Sequence, residues 1–144
     1  MATYRTIRMA FWSDPYIETL SASEKLLYLY LFSCPHTNNL GLLAVSRRRM
    51  AYDTGLTEEA VNAALAAFER DGKIATDGDA VWVCHFIRHQ CSTSPKILTS
   101  LRALLPTVEC AAIRKAIIQT YPHLFGAARY PTGRGSGPPG GSER

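Results

Sequence analysis

The chain has 144 residues, with sixteen Lys and Arg against twelve Asp and Glu, a formal net charge of +4. Hydrophobic residues make up 47% and charged residues 19%, enough for the core of one domain and too much apolar content for a wholly disordered chain. The longest apolar run, Leu26–Phe32, is too short to span a bilayer, and residues 1–20 hold no apolar signal core, so a cytoplasmic protein without a membrane partner is expected.

Of the +4, +2 falls in residues 127–144, which leaves a body of nearly neutral balance. Such a body allows an anionic partner without requiring one. The four cysteines form no CxxC pair, and the cluster Cys84, His85, His89, Cys91 matches no zinc spacing. No metal and no cofactor are expected.

In chain order, an extended or irregular segment covers about 4–12, and Asp14 caps a short helical turn opened by Pro15. Ser21-Ala-Ser-Glu24 is a capping box that opens a helix to Ser33. Its side chains are apolar nearly all round, which predicts the central and most buried helix. A loop and a short strand over 41–45 follow. Ser46 then caps a helix over 47–54 closed by Gly55, and Thr57 caps one over 58–71 closed by Gly72. In the latter, Val61, Ala64, Leu65 and Phe68 keep the spacing of one buried face.

Residues 73–76 and 80–86 read as a hairpin around Asp77-Gly-Asp79. Two further helices, about 96–105 and 108–121, are separated by Pro106, the second ended by Pro122. The aromatics, Trp12, Tyr16, Tyr28, Tyr30, Phe68, Trp82 and Phe86, are expected in the core. Residues 127–144, with five Gly and three Pro, have the composition of a flexible tail or linker. The expected domain is therefore 1–126.

Helix, strand, short helix, tight turn, helix, hairpin is the order of a winged helix-turn-helix. Ala51, Gly55 and Val61 supply the small, turn-permissive and apolar residues that close approach of the two helices requires. The expected fold is mainly α with a small β-hairpin, a winged helix-turn-helix with additional C-terminal helices.

Several strings also resemble one family. They are Ile7-Arg-Met-Ala-Phe-Trp-Ser-Asp14, Glu24–Leu31, Pro35-His-Thr-Asn38, Ala51–Leu56, Asp71–Ile74, Trp82–Phe86 and His89-Gln90. Together they resemble the N-terminal region of phage and prophage replication-initiation proteins, the replisome-organiser or DnaD-like winged-helix group. The resemblance spans about residues 5–105 and implies a winged helix that binds double-stranded DNA near an origin and helps assemble the primosome. Such initiators carry a further C-terminal domain, so 127–144 reads either as the start of its linker or as the end of a short relative.

Arg47, Arg48 and Arg49 sit in a helix first turn, where cations oppose the helix dipole. Phosphate contacts beside the free N–H groups account for them better than stability does. The groove-facing side of the next helix comprises Glu58, Glu59, Asn62, Ala63, Ala66 and Arg70. Asn62 suits adenine, but the two glutamates and the acidic hairpin tip argue against strong sequence-specific readout. Arg88, His89, Gln90 and Lys96 either extend a basic surface or form a solvated loop. The expected DNA-binding residues are thus Arg47, Arg48, Arg49, Asn62 and Arg70. No P-loop, HExxH or GxSxG motif occurs, so a non-enzymatic protein is expected. The alternatives are a protein–protein module for self-association or primosome assembly, and a transcriptional regulator with a specific operator.

Overall fold

The computed structural model describes residues 3–91 and 94–126; the expected tail lies outside them. Eight helices and three strands are present among these residues: α1 (Pro15–Glu18), α2 (Ala22–Ser33), β1 (Leu42–Ala44), α3 (Arg47–Thr54), α4 (Glu58–Arg70), β2 (Ile74–Asp77), β3 (Ala80–Val83), α5 (Phe86–Gln90), α6 (Pro95–Leu104), α7 (Ala111–Thr120) and α8 (Pro122–Phe125). Short 3-10 turns occupy Met9–Ser13 and Leu105–Thr107. The fold is mainly helical with a small antiparallel sheet. No described helix is long and apolar enough to cross a membrane.

The expected caps are all made. Asp14 accepts from the amide of Tyr16 at 2.8 Å. Ser21 and Glu24 form the reciprocal capping box, while Ser46 accepts from Arg49 N and Thr57 from Ala60 N, each at 3.0 Å. Gly55, at φ +80°, closes α3 in the left-handed region, and α4 begins three residues later.

The sheet order is β1-β3-β2, with Leu43 opposite Val81 and Ile74 opposite Val83. Period-2 alternation sends these four side chains to one face, against Leu27, Leu31, Met50, Val61, Leu65 and Phe68 of α2–α4. On the opposite face Trp82 packs with Leu101, Leu105, Ile117 and Phe125 of the C-terminal helices. The indole N–H donates to the Leu40 carbonyl at 2.9 Å, which satisfies the one polar atom of a side chain only 1% exposed. Both faces of the sheet are thus covered.

Several expectations are corrected. The second hairpin strand ends at Val83, because Phe86 and Ile87 bury in different clusters, one on each side of the sheet, and the helical turn α5 takes the chain across its end. Pro122 does not simply stop the chain. It takes the first position of α8, where its missing N–H costs nothing, and Leu124 and Phe125 bury behind it. α7 starts at Ala111 rather than at 108, after Val108 has turned into the core. α2 buries Leu27, Leu31 and Phe32 and half-buries Tyr28, Leu29 and Tyr30, but its apolar surround is incomplete in the core, since Leu26 is 42% exposed; α4 buries Val61, Ala64, Leu65 and Phe68. Trp12 is no core residue at 57% exposure, since neighbouring Phe11 is the side chain that enters the core and meets Phe32 edge-on.

Candidate nucleic-acid interface

The three consecutive arginines at the start of α3 have three different environments. Arg47 is half-buried, and its Nη2 donates to the Gly78 carbonyl at 2.9 Å. This bond ties the hairpin tip to α3, and the Val45 N–H adds a second tie to Asp79 O at 3.2 Å. Arg47 Nη1 is buried without a hydrogen-bond partner among the described residues. Arg49 is exposed and pairs with Asp53, one turn on, at 3.0 Å. Asp53 also accepts from the Tyr30 hydroxyl at 2.7 Å. Those two hydrogen bonds, Tyr30 first, hold its carboxyl below the usual carboxylate range. Arg49 also lies over the Tyr52 ring, 5.5 Å from its centroid. Arg48 is exposed and makes no side-chain hydrogen bond or ion pair among the described residues.

Arg47 and Arg49 therefore have structural partners as well as a place on the surface. Sequence reasoning missed both. The i,i+4 pairing of Arg49 with Asp53 was readable from spacing, whereas the tie to Gly78 spans 31 residues and carries no local signal.

Asn62 and Arg70 are exposed on α4, as are Glu58, Glu59, Ala63 and Ala66. Asn62 and Arg70 are eight residues apart, or about 12 Å along the axis, so one sits near the start of the helix and the other at its last residue. Arg70 reaches Asp71 at 3.3 Å, a solvent-exposed pair of small energetic weight. The hairpin tip, Asp77-Gly78-Asp79, is exposed and acidic, and its turn places Gly78 at φ +61°.

Charge is unevenly distributed around this surface. Residues 46–83 hold five basic side chains (Arg47, Arg48, Arg49, Arg70, Lys73) against seven acidic ones, a net −2. Residues 84–126 hold five basic side chains against Glu109, a net +4. The near-neutral body thus consists of an acidic α3–hairpin unit and a basic set of C-terminal helices. Within the latter, Arg102 donates to Leu124 O and Arg114 to Val108 O, and both are half-buried, whereas Arg88, Lys96 and Lys115 are exposed. No group of three or more His, Cys, Asp or Glu among the described residues is placed to hold a metal ion.

The strings that carry the family resemblance mostly build structure. The buried Thr37 donates to Leu31 O at 2.6 Å at the end of α2. Asn38 Oδ1 accepts from the amides of Leu40 and Leu42, and Asn39 Oδ1 accepts from Arg5. Arg5 also lies over the Phe86 ring, so this loop anchors the N-terminal segment. No family model, no curated protein and no solved structure matches the chain.

Proposed function

We propose that α2–β1–α3–α4–β2–β3 is a winged helix-turn-helix and that it binds duplex DNA as a non-enzymatic module of a phage-type replication initiator. In this reading α3 and α4 are the helix pair and β2–β3 is the wing. Arg48, Arg49 and Arg70 neutralise phosphates, and Asn62 lies nearest the groove. Arg47 acts mainly by fixing the wing. The observation that carries the proposal is the Arg47–Gly78 bond, which holds the wing tip against the helix end that presents the exposed Arg48. The family resemblance of residues 5–105 supplies the link to replication.

With two or three phosphate contacts and an acidic surround, binding is weak, salt-sensitive and nearly blind to sequence. The test is titration of a random duplex at several salt concentrations. The expected slope of log affinity against log salt is about −2 to −3, approaching zero when Arg48, Arg49 and Arg70 are all alanine. Glu58→Gln with Glu59→Gln tightens binding, because the field at the groove becomes less repulsive. Unchanged affinity in both variants, with the fold intact, refutes the proposal.

A second reading is favoured by the net −2 of residues 46–83 and by the exposed Ala63 and Ala66 on α4, a low-relief face suited to a partner protein. There the unit serves self-association or primosome contacts, and the same substitutions change partner binding rather than DNA affinity.

A further inference from the structure

A cavity of about 140 Å³ lies between the N-terminal segment and the core, away from the α3–hairpin surface. Its inner wall includes Tyr28, Phe32 and Phe86, and its mouth carries Lys73, His85 and His89. The size is that of a single six-membered ring, since a cavity of about 150 Å³ in an apolar core holds benzene. The lid is the segment around Thr6–Phe11. It is held by polar contacts, with Gln90 donating to Thr6 O at 2.6 Å and Arg8 donating to His89 O at 3.4 Å.

The charges at the mouth are lopsided. The Lys73 ammonium lies 4.6 Å from the Tyr16 ring centroid and has no acidic partner among the described residues. Arg8 also lines the cavity. The acid that lines it, Asp14, already accepts the Tyr16 amide as the cap of α1. The two histidine rings stand 6.4 Å apart, edge to face. Burial is the main influence on both, and it lowers their affinity for protons; Arg88, Lys73 and His89 add to this at His85, and Arg8, Arg88 and Lys73 at His89, against Asp14. Both rings therefore favour the neutral form at pH 7.

A mainly apolar lining with, at its mouth, an ammonium that has no acidic partner among the described residues selects a ligand with an apolar body and one negative charge. We propose that this cavity binds a small monocarboxylate with an aromatic or branched apolar body. The body packs against Tyr28, Phe32 and Phe86 and the carboxylate pairs with Lys73. A charge-assisted contact is the stronger kind of polar anchor, and a ligand of this size binds in the millimolar range.

The experiment is an NMR titration of the histidine ring protons with benzoate and with benzamide, its neutral isostere. The exposed His36 and His123 do not line the cavity and serve as internal controls. Benzoate is expected to shift the His85 and His89 resonances saturably and to raise their titration midpoints, because a bound anion favours the protonated rings. Benzamide is expected to bind about tenfold more weakly. Lys73→Met keeps the stem over Tyr16 and removes the charge; it is expected to cost about tenfold in benzoate affinity, with Lys73→Arg restoring most of it. Absence of any shift at His85 and His89, equal binding of benzoate and benzamide, or unchanged affinity in a folded Lys73→Met protein would each overturn the proposal. The comparison of the two probes on the wild-type chain does not depend on how the variants fold.

Discussion

Alanine at position 41 probes a close approach of the backbone to a core side chain. Gly41 has φ +88°, and a Cβ there would lie 2.4 Å from Phe86 Cβ and 2.7 Å from its Cγ. Phe86 is 2% exposed, and the contacted Cβ moves only with the backbone that carries it. The left-handed backbone alone costs an L-residue about 1 kcal/mol, and forcing a methyl group into a packed core adds about 1–3 kcal/mol. The total is about 2–4 kcal/mol. For a domain of this size, that lowers Tm by roughly 8–20 °C. Gly55→Ala is the matched control, because φ is +80° but nothing lies within 4 Å of the added carbon. It carries the conformational cost alone, about 1 kcal/mol or roughly 4–5 °C. Thermal melts followed by circular dichroism read both. Equal losses in the two variants would show that Gly41 and Phe86 are not in contact, and with that the placement of α5 across the sheet end would fall.

Val61→Asp puts an unpaired charge at a position with no solvent exposure and is expected to unfold the chain at 25 °C; a melt within two or three degrees of wild type (about 1 kcal/mol or less) would contradict the burial of α4. Thr37→Val removes the donor to Leu31 O and is expected to cost about 1–3 kcal/mol, measured by urea unfolding; a neutral result would show that the bond is replaced by solvent. Both His85 and His89 are held below their ordinary pKa of 6.5, mainly by burial. As pH falls through and below 6.5 the unfolded chain therefore takes up protons before the folded one. Stability is fully present above that value and declines beneath it. Tm is expected to drop between about pH 7.5 and 5, with His85→Gln plus His89→Gln flattening the profile; a wild-type Tm that rises on acidification would contradict this.

The central elements were legible because their signals are local. Ser21, Ser46 and Thr57 announce helix starts by side-chain chemistry, Gly55 announces an end, and Val61–Phe68 repeat at helical spacing. Residues 84–87 were not legible, because a run with buried side chains on both sides of a sheet end has neither strand nor helix period. The apolar surround of α2 was legible in part: Leu27, Leu31 and Phe32 are buried, while Tyr28 and Tyr30 pack against the core half-buried and Tyr30 extends its hydroxyl to Asp53. At the candidate site, exposure was foreseen for Arg48, Asn62 and Arg70, while the long-range use of Arg47 was not. The helix dipole acts alike on three adjacent arginines, whereas the environment of each differs.

The most direct test of the proposed DNA interface is a residue-by-residue map of amide shifts as random duplex DNA is added to the isotopically labelled chain. The account predicts saturable shifts that cluster at Ser46–Arg49, the first turns of α4 around Glu58–Asn62, and the hairpin tip at Asp77–Asp79, all weakening together as salt rises. Shifts confined to the basic C-terminal helices, around Arg88, Lys96 and Lys115, with Ser46–Arg49 and the hairpin tip unmoved, would contradict it.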